Sequence, residues 1–266
     1  MEENELIKSC IEGNKQSFEK LISSIQPLVF NLSLRFIWNR MDAEDATQEI
    51  LIKIITNLSK FDGRSKFQTW VYRISTNYLI NLKQTNLEKT SISFNSFSNE
   101  LNSIKELASY DFPDKDLLEK EMKTGCTLAM LQCLNRDLRM AFILGSILKI
   151  KSNVACEIIE TSPENFRKKL EKSRKLIASF LNSNCGVYKP KNKCRCNKRI
   201  TPAIACGRIT KNNLNFVENI ETYNEEMEEI NSMTGIYQNH GFFKSKSDFL
   251  EKLNGMLMDK KIINSE

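Results

Sequence analysis

Glycine and proline are scarce in this chain, 9 and 5 among 266 residues. So few breakers leave long unbroken segments, and those segments carry helical periodicity, which argues for an all-α protein. There is a single histidine, His240. A glycine-rich phosphate loop is missing, and so are paired carboxylates in a metal-binding motif. A nucleic-acid enzyme is therefore left without a catalytic set, and no catalytic residue is assigned. No run of about 18 apolar residues occurs, and the N-terminus, MEENELIK, is acidic and polar. The expectation is a chain with neither spanning helix nor signal peptide, working in the cytoplasm without a membrane role.

What is present supports folded domains. The chain is 41% hydrophobic and 27% charged, long enough for two or three domains. Its net charge of +6 is compatible with a nucleic-acid partner. Eight cysteines in a cytosolic chain point to thiols or metal ligands and away from disulfides.

The most informative stretch runs from Asp42 to Lys83. Ala46, Ile50, Ile54 and Leu58 recur every four residues, widened by Leu51 and Ile55, as on the apolar face of an amphipathic helix. Asp42 is read as the N-cap, with Glu44 and Asp45 in the first turn. Asp45, Gln48, Glu49 and Lys53 point off the stripe. A breaker, Phe61-Asp62-Gly63-Arg64-Ser65, precedes a second helix whose buried face is read as Phe67, Val71, Ile74 and Tyr78.

These blocks, DAEDATQE, F-x-G-x-S-x-F and TWVYRISTN, closely resemble region 2 of the sigma-70 family of bacterial RNA polymerase initiation factors, in its extracytoplasmic-function (ECF) group. The resemblance implies a dissociable subunit that binds core RNA polymerase and promoter DNA. Asp45, Gln48 and Glu49 would meet basic residues on the clamp helices of the polymerase's largest subunit. A solvated helix face is the bland alternative. Phe61, Asp62, Gly63, Arg64, Ser65 and Lys66 would form the loop that captures a flipped base of the −10 element, beside Thr69, Tyr72, Arg73 and Asn77, with Asn81 as a further candidate. Separating strands costs about a few kcal/mol per unstacked base, so replacement partners are needed. Trp70 is read as core or a half-buried wedge in preference to a stacking platform.

A second block agrees. SNVACEIIE, a break at Thr161-Ser162, and PENFRKKLEKSRKLIASFL follow a helix-turn-helix plan. Pro163 suits the first helical position and Ser162 the cap. The last helix would bury Phe166, Leu170, Ser173, Ile177 and Phe180. Its other face shows Arg167, Lys168, Lys169, Lys172, Arg174 and Lys175. The block resembles sigma region 4, which reads the −35 element, and implies contacts from Asn165, Arg167, Lys168, Lys169, Lys172 and Lys175. IIETSPENF stands where the family often has an L-G-x-S segment, which leaves base preference open. A basic face serving only as solvated surface is the alternative.

The resulting plan is an all-α chain with a region 2 domain at 1–83 and a linker at 84–113. A region 4 domain at 114–182, a cysteine segment at 183–210 and a helical extension at 211–266 complete it. The linker, rich in serine and asparagine, is expected to be loose, either a tether or a segment threading the polymerase. Cys185, Cys194, Cys196 and Cys206 admit a zinc site, free thiols or a redox switch, since the C-x8-C-x-C-x9-C spacing lacks the usual C-x2-C knuckle. No cofactor is otherwise implied. Cys10, Cys126, Cys133 and Cys156 are read as small core residues. Tail stripes (Phe216, Ile220, Tyr223, Met227, Ile230 and then Phe249, Leu253, Leu257) need a partner, and regulation by an anti-sigma factor or by the extension itself is open. His240 is read as a loop residue. A stand-alone helix-turn-helix regulator is the rival reading. It explains the second domain but not the acidic helix and melting loop of the first.

Overall fold

The computed structural model describes residues 3–83, 92–103, 108–217, 237 and 242–253. The expected stripe residues Ile220, Tyr223, Met227, Ile230 and Leu257, and His240, lie outside the described residues. The described fold is all-α, with one isolated bridge between Cys185 and Cys194 in place of any sheet. Among the described residues no helix is long and apolar enough to cross a membrane. The chain divides into two compact units, one of residues 1–83, 153–162 and 242–266, the other of 84–152 and 163–241.

In the first unit α1 (Glu3–Ile11) leads into α2 (Lys15–Ile37), capped by Asn14, whose side chain accepts the Ser17 N–H at 3.0 Å. From Val29 to Ile37 every residue of α2 is buried, so this half of the helix lies at the centre of the unit. Burying VFNLSLRFI on all sides encloses three polar residues, which then require internal partners. Arg35 donates to the Asn31 side-chain oxygen at 2.7 Å, and Asn31 itself bonds the backbone of residue 243. Trp38, at φ 71, ends the helix in a conformation that non-glycine residues seldom adopt.

Next, α3 (Arg40–Thr56) starts earlier than expected. Its cap is Asn39, accepting from the Asp42 N–H at 3.0 Å, and Asp42 falls in the first turn. Such a cap stabilises a helix by about 1 kcal/mol. Ile55 is only half-buried, but the rest of the expected stripe is buried, with Ile50, Leu51 and Ile54 at 0% exposure. Each contributes roughly 1.5–3 kcal/mol of apolar burial. After a 3-10 turn (Leu58–Lys60) and the glycine loop comes α4 (Phe67–Asn81). It buries Phe67, Trp70, Val71, Tyr72, Ser75, Thr76 and Leu79. The expected Ile74 and Tyr78 are only half-buried. Two small hydroxyl residues take the interior instead, and Ser75 satisfies itself by donating to the Val71 carbonyl at 2.8 Å.

In the second unit, α5 (Phe94–Ser103) stands in the stretch that composition alone marks as loose. Phe94 and Phe97 hold it, their rings 5.4 and 5.1 Å from that of Phe180. Two aromatic anchors outweigh a polar background when a long helix offers them a surface. The helices α6 (Lys115–Gln132) and α7 (Arg136–Phe142) are joined by a short turn, and Arg139 of α7 is buried at 3% exposure. Its guanidinium donates to the carbonyls of Leu131 at 3.0 Å, Leu134 at 3.1 Å and Gln132 at 3.4 Å, capping the end of α6. Arg139→Ala should cost about 3 kcal/mol, because it strands carbonyl acceptors that water reaches poorly. Urea unfolding measures this as a lower midpoint with an unchanged slope.

A π-helical turn (Ile143–Ile147) ends α7. Gly145 sits there because a Cβ would lie 2.6 Å from a methyl of Leu170 on the long helix α9 (Pro163–Asn184). Between them in sequence, α8 (Ser152–Ile158) clusters with the first unit. Helix α10 (Cys196–Ala205) packs with α6 around Tyr110, Leu118, Ile200, Ala203 and Ile209. Glu121, 2% exposed, secures the following chain by accepting the N–H groups of Asn215, Phe216 and Val217 at 2.7, 2.9 and 3.0 Å.

Candidate nucleic-acid interface

Three of the residues expected to bind core polymerase leave α3 on its solvent side. Asp45 and Glu49 are exposed, one turn apart, and Gln48 is half-buried beside them. The row is bordered by Tyr78 of α4 and continues to Lys53, whose ammonium lies 5.9 Å from the Tyr78 ring centre. Burial raises the Tyr78 phenol above its usual range, and the Glu49 and Asp45 carboxylates raise it further. Both acids thus lie near enough to Tyr78 to disfavour its ionised form.

The loop before α4 turns on Gly63, at φ 72, which suits glycine. Asp62 closes it by accepting the Arg64 N–H at 3.1 Å and its guanidinium at 2.5 Å. The bond from Arg64 chiefly holds the Asp62 carboxyl below its usual range. Asp62, Gly63, Arg64 and Lys66 are exposed, and Ser65 is half-exposed. Phe61 is different. Its ring packs 5.3 Å from Phe67 and 5.6 Å from Trp70, so it anchors the loop while staying half-exposed. Trp70, 7% exposed, lies within this aromatic cluster, in keeping with the core reading.

Along α4, Asn77 and Asn81 are exposed and Thr69 and Arg73 half-exposed. The Asn77 amide donates to Glu160 at 3.4 Å. Tyr72 departs from the expected exposed row. It is 8% exposed, and burial pushes its phenol up to about 12 against the opposing pull of Arg35. Helical spacing puts Tyr72 within reach of either face, and the buried guanidinium on α2 is a long-range neighbour that spacing does not reveal.

On α9 the expected buried set, Phe166, Leu170, Ser173, Ile177 and Phe180, is buried, joined by Leu181 and Asn184. Asn165, Arg167, Lys168, Lys172 and Lys175 are exposed. Two pairs soften the basic face: Lys168 with Glu164 and Lys175 with Glu171, each at 2.6 Å. Exposed pairs of this kind contribute little and open readily when a phosphate competes. Lys169 and Arg174 are turned to structural work. Lys169 pairs with Asp137 at 2.8 Å, and Arg174 donates to the Ser146 hydroxyl at 2.9 Å. Both tie α9 to α7 and its π-helical turn.

The cysteine segment is held largely by polar contacts of its own. The Asn192 amide donates to the carbonyls of Asn182 and Cys185, at 3.0 and 3.1 Å, finishing α9. Arg195 donates to the carbonyls of Asn192 and Pro190 at 2.5 and 2.6 Å. Gly186 is required because a Cβ would lie 2.3 Å from the Cys194 carbonyl oxygen. Cys206 is exposed at the end of α10, whereas Cys185, Cys194 and Cys196 are half-buried. Burial raises the Cys126 thiol of α6 well above the usual range, and the nearby Cys196, Cys194 and Cys185 raise it further. Burial also pushes Cys196 up to about 12. Such protonated thiols are poor nucleophiles. Among the described residues, no three cysteine, histidine or carboxylate side chains are grouped to hold a metal.

Comparison with known proteins bears on the first unit most directly. The family described as Sigma-70 region 2 matches residues 21–86. An ECF RNA polymerase sigma factor, SigW of Bacillus subtilis, is 35% identical over 74 residues, 28% of this chain and 40% of that protein. The RNA polymerase sigma-H factor of Pseudomonas aeruginosa is 34% identical over 76 residues, 29% of this chain and 39% of that protein. This chain thus spans about two-fifths of the length of each. A longer match joins it to the ECF RNA polymerase sigma-E factor of Haemophilus influenzae, 25% identical over 176 residues, 65% of this chain and 91% of the relative. The region 2 match contains α3, the glycine loop and α4, and relatives named as ECF sigma factors align with it, so this part of the chain is similar to region 2 of the sigma-70 family.

Proposed function

We propose that this chain is a dissociable subunit that directs core RNA polymerase to specific promoters and helps open them, without a covalent step of its own. One observation carries this reading. A single small unit bears an acidic row on α3 and, beyond the same helix, a closed glycine loop followed by the polar side of α4. The acidic row would repel DNA and suits a basic protein surface. The loop and α4 offer backbone donors, amides and cations to an extruded base and its phosphates. In this assignment Asp45, Gln48 and Glu49 meet polymerase. Asp62, Gly63, Arg64, Ser65, Lys66, Thr69, Arg73 and Asn77 face the melted −10 strand, while Phe61 and Tyr72 support them from within. Asn165, Arg167, Lys168, Lys172 and Lys175 face the −35 element.

Initiation from a library of −35 variants separates the two kinds of contact on α9. Lys168 lies near the end of α9 that a recognition helix inserts first. Lys168→Ala should therefore relax preference at one base position, a loss of about 1–3 kcal/mol for that base. Lys172→Ala should weaken all sequences alike and lower the salt slope by about one unit. If both substitutions leave promoter choice and salt dependence untouched, the basic face is only a solvated surface.

A further inference from the structure

The C-terminal residues 242–253 return to the first unit and bind it by a specific set of contacts. Asn31 of α2, 1% exposed, donates to the Phe243 carbonyl at 2.8 Å, and its side-chain oxygen accepts the Phe243 N–H at 2.6 Å. One amide therefore reads both backbone groups of one residue, as a neighbouring strand would. The Phe243 ring is buried beneath the Arg35 guanidinium, 4.8 Å from its centre. Arg40 donates to the Lys244 carbonyl. Glu44 of α3 then accepts the Lys246 N–H at 3.1 Å and the hydroxyls of Ser247 and Ser245 at 2.6 and 3.3 Å. Phe249 and Leu253, farther along the segment, are buried at 1% exposure each.

We propose that α2 and the start of α3 form a peptide-docking surface whose resident occupant is the chain's own Phe243–Ser247 segment, and that this occupant competes with core polymerase for α3. The proposal rests on the polymerase reading above. Its chemistry follows from position. Glu44 immediately precedes Asp45 and lies one helical turn before Gln48, so a segment held by Glu44 occupies the end of the acidic face. That segment also carries Lys244 and Lys246, both exposed. It supplies to α3 the positive charge that a basic polymerase surface would otherwise bring, and it adds backbone where that surface would approach. Recognition is mostly of main-chain groups, with one aromatic anchor and two hydroxyls. The kind of partner the surface fits is thus an extended phenylalanine-led segment with small polar residues at the second and fourth positions after it.

The docked carboxylate behaves as this geometry requires. Burial alone would raise Glu44, and the bonds from Ser247, Lys246 and Ser245 and the charge of Arg40, 3.4 Å away, more than offset it.

Two full-length variants test the proposal. Ser247→Asp sets a second carboxylate against Glu44, and Lys246→Pro deletes the N–H that Glu44 accepts. Hydrogen exchange read by mass spectrometry reports docking, and fluorescence anisotropy with labelled chain reports core binding. Both variants should exchange faster at 242–253 and bind core about tenfold more tightly, the gain expected if the released form is about a tenth of the wild-type population. Unchanged exchange in both variants overturns the docking. Faster exchange with unchanged or weaker core binding overturns the competition. A chain that binds core in no form overturns the polymerase reading and the competition with it, and exchange alone then judges the docking.

Discussion

Gln48→Ala combined with Glu49→Lys should leave the circular dichroism of the chain unchanged and lower its affinity for core polymerase roughly ten- to a hundredfold, since each tenfold corresponds to about 1.4 kcal/mol. The fold is spared because Glu49 is exposed and Gln48 half-exposed, both away from the buried set of Ala46, Ile50, Leu51 and Ile54. The affinity falls because a lysine would stand where the acidic row meets a basic partner, and like charges in contact cost several times what a rim contact contributes. The row contains only two exposed acids in succession, Asp45 and Glu49. Replacing Glu49 by lysine leaves Asp45 as the single exposed acid of the row. The binding loss should shrink as salt rises, because the wild-type attraction is screened as well. Normal core binding by the double variant would move the polymerase contact off α3.

Asn77→Ala should slow promoter opening about tenfold, equivalent to ~1.4 kcal/mol in the barrier, while closed-complex formation stays near wild type. Asn77 is exposed on α4, so its truncation removes no core packing. It removes an amide that can replace the pairing of an extruded base. A template carrying a pre-melted bubble should restore most of the rate, because the strand-separation cost has already been met. Substitutions at Asp62 or Arg64 should behave in the same way, since the Asp62–Arg64 bonds fix the loop around Gly63. Equal loss on duplex and bubble templates would assign these residues to docking or folding.

Much of this layout is legible in the sequence where local periodicity decides it. The stripe from Ala46 to Leu58 and the buried set of α9 follow from residues three and four apart, which share a helix face whatever surrounds them. The cap of α3 lies three residues before the expected one because two residue types, asparagine and aspartate, both cap well and stand close together. Spacing alone misplaces Tyr72, which is buried near Arg35 of another helix, and does not reveal that the half-exposed Phe61 packs on Phe67 and Trp70 beyond the turn. Helix α5 is hidden in a polar stretch for the same reason, its two anchors being met by Phe180. Spacing along the cysteine segment likewise gives no sign of Cys126 on α6, whose thiol is affected by Cys196, Cys194 and Cys185. The apolar spacing of Phe249 and Leu253 marks a segment in need of a partner. The choice of Asn31 and Glu44 is written only in the tertiary structure.

One measurement tests the central claim most directly. Purified chain is mixed with core RNA polymerase and genomic DNA, and the 5′ ends of the transcripts are mapped beside reactions lacking either protein. Transcripts that start at a discrete set of sites, share two upstream sequence blocks and require both proteins are the expected result. The chain alone should protect none of those sites. Tight, sequence-specific protection by the chain alone, with no change in where core polymerase starts, would contradict it and favour a stand-alone helix-turn-helix regulator.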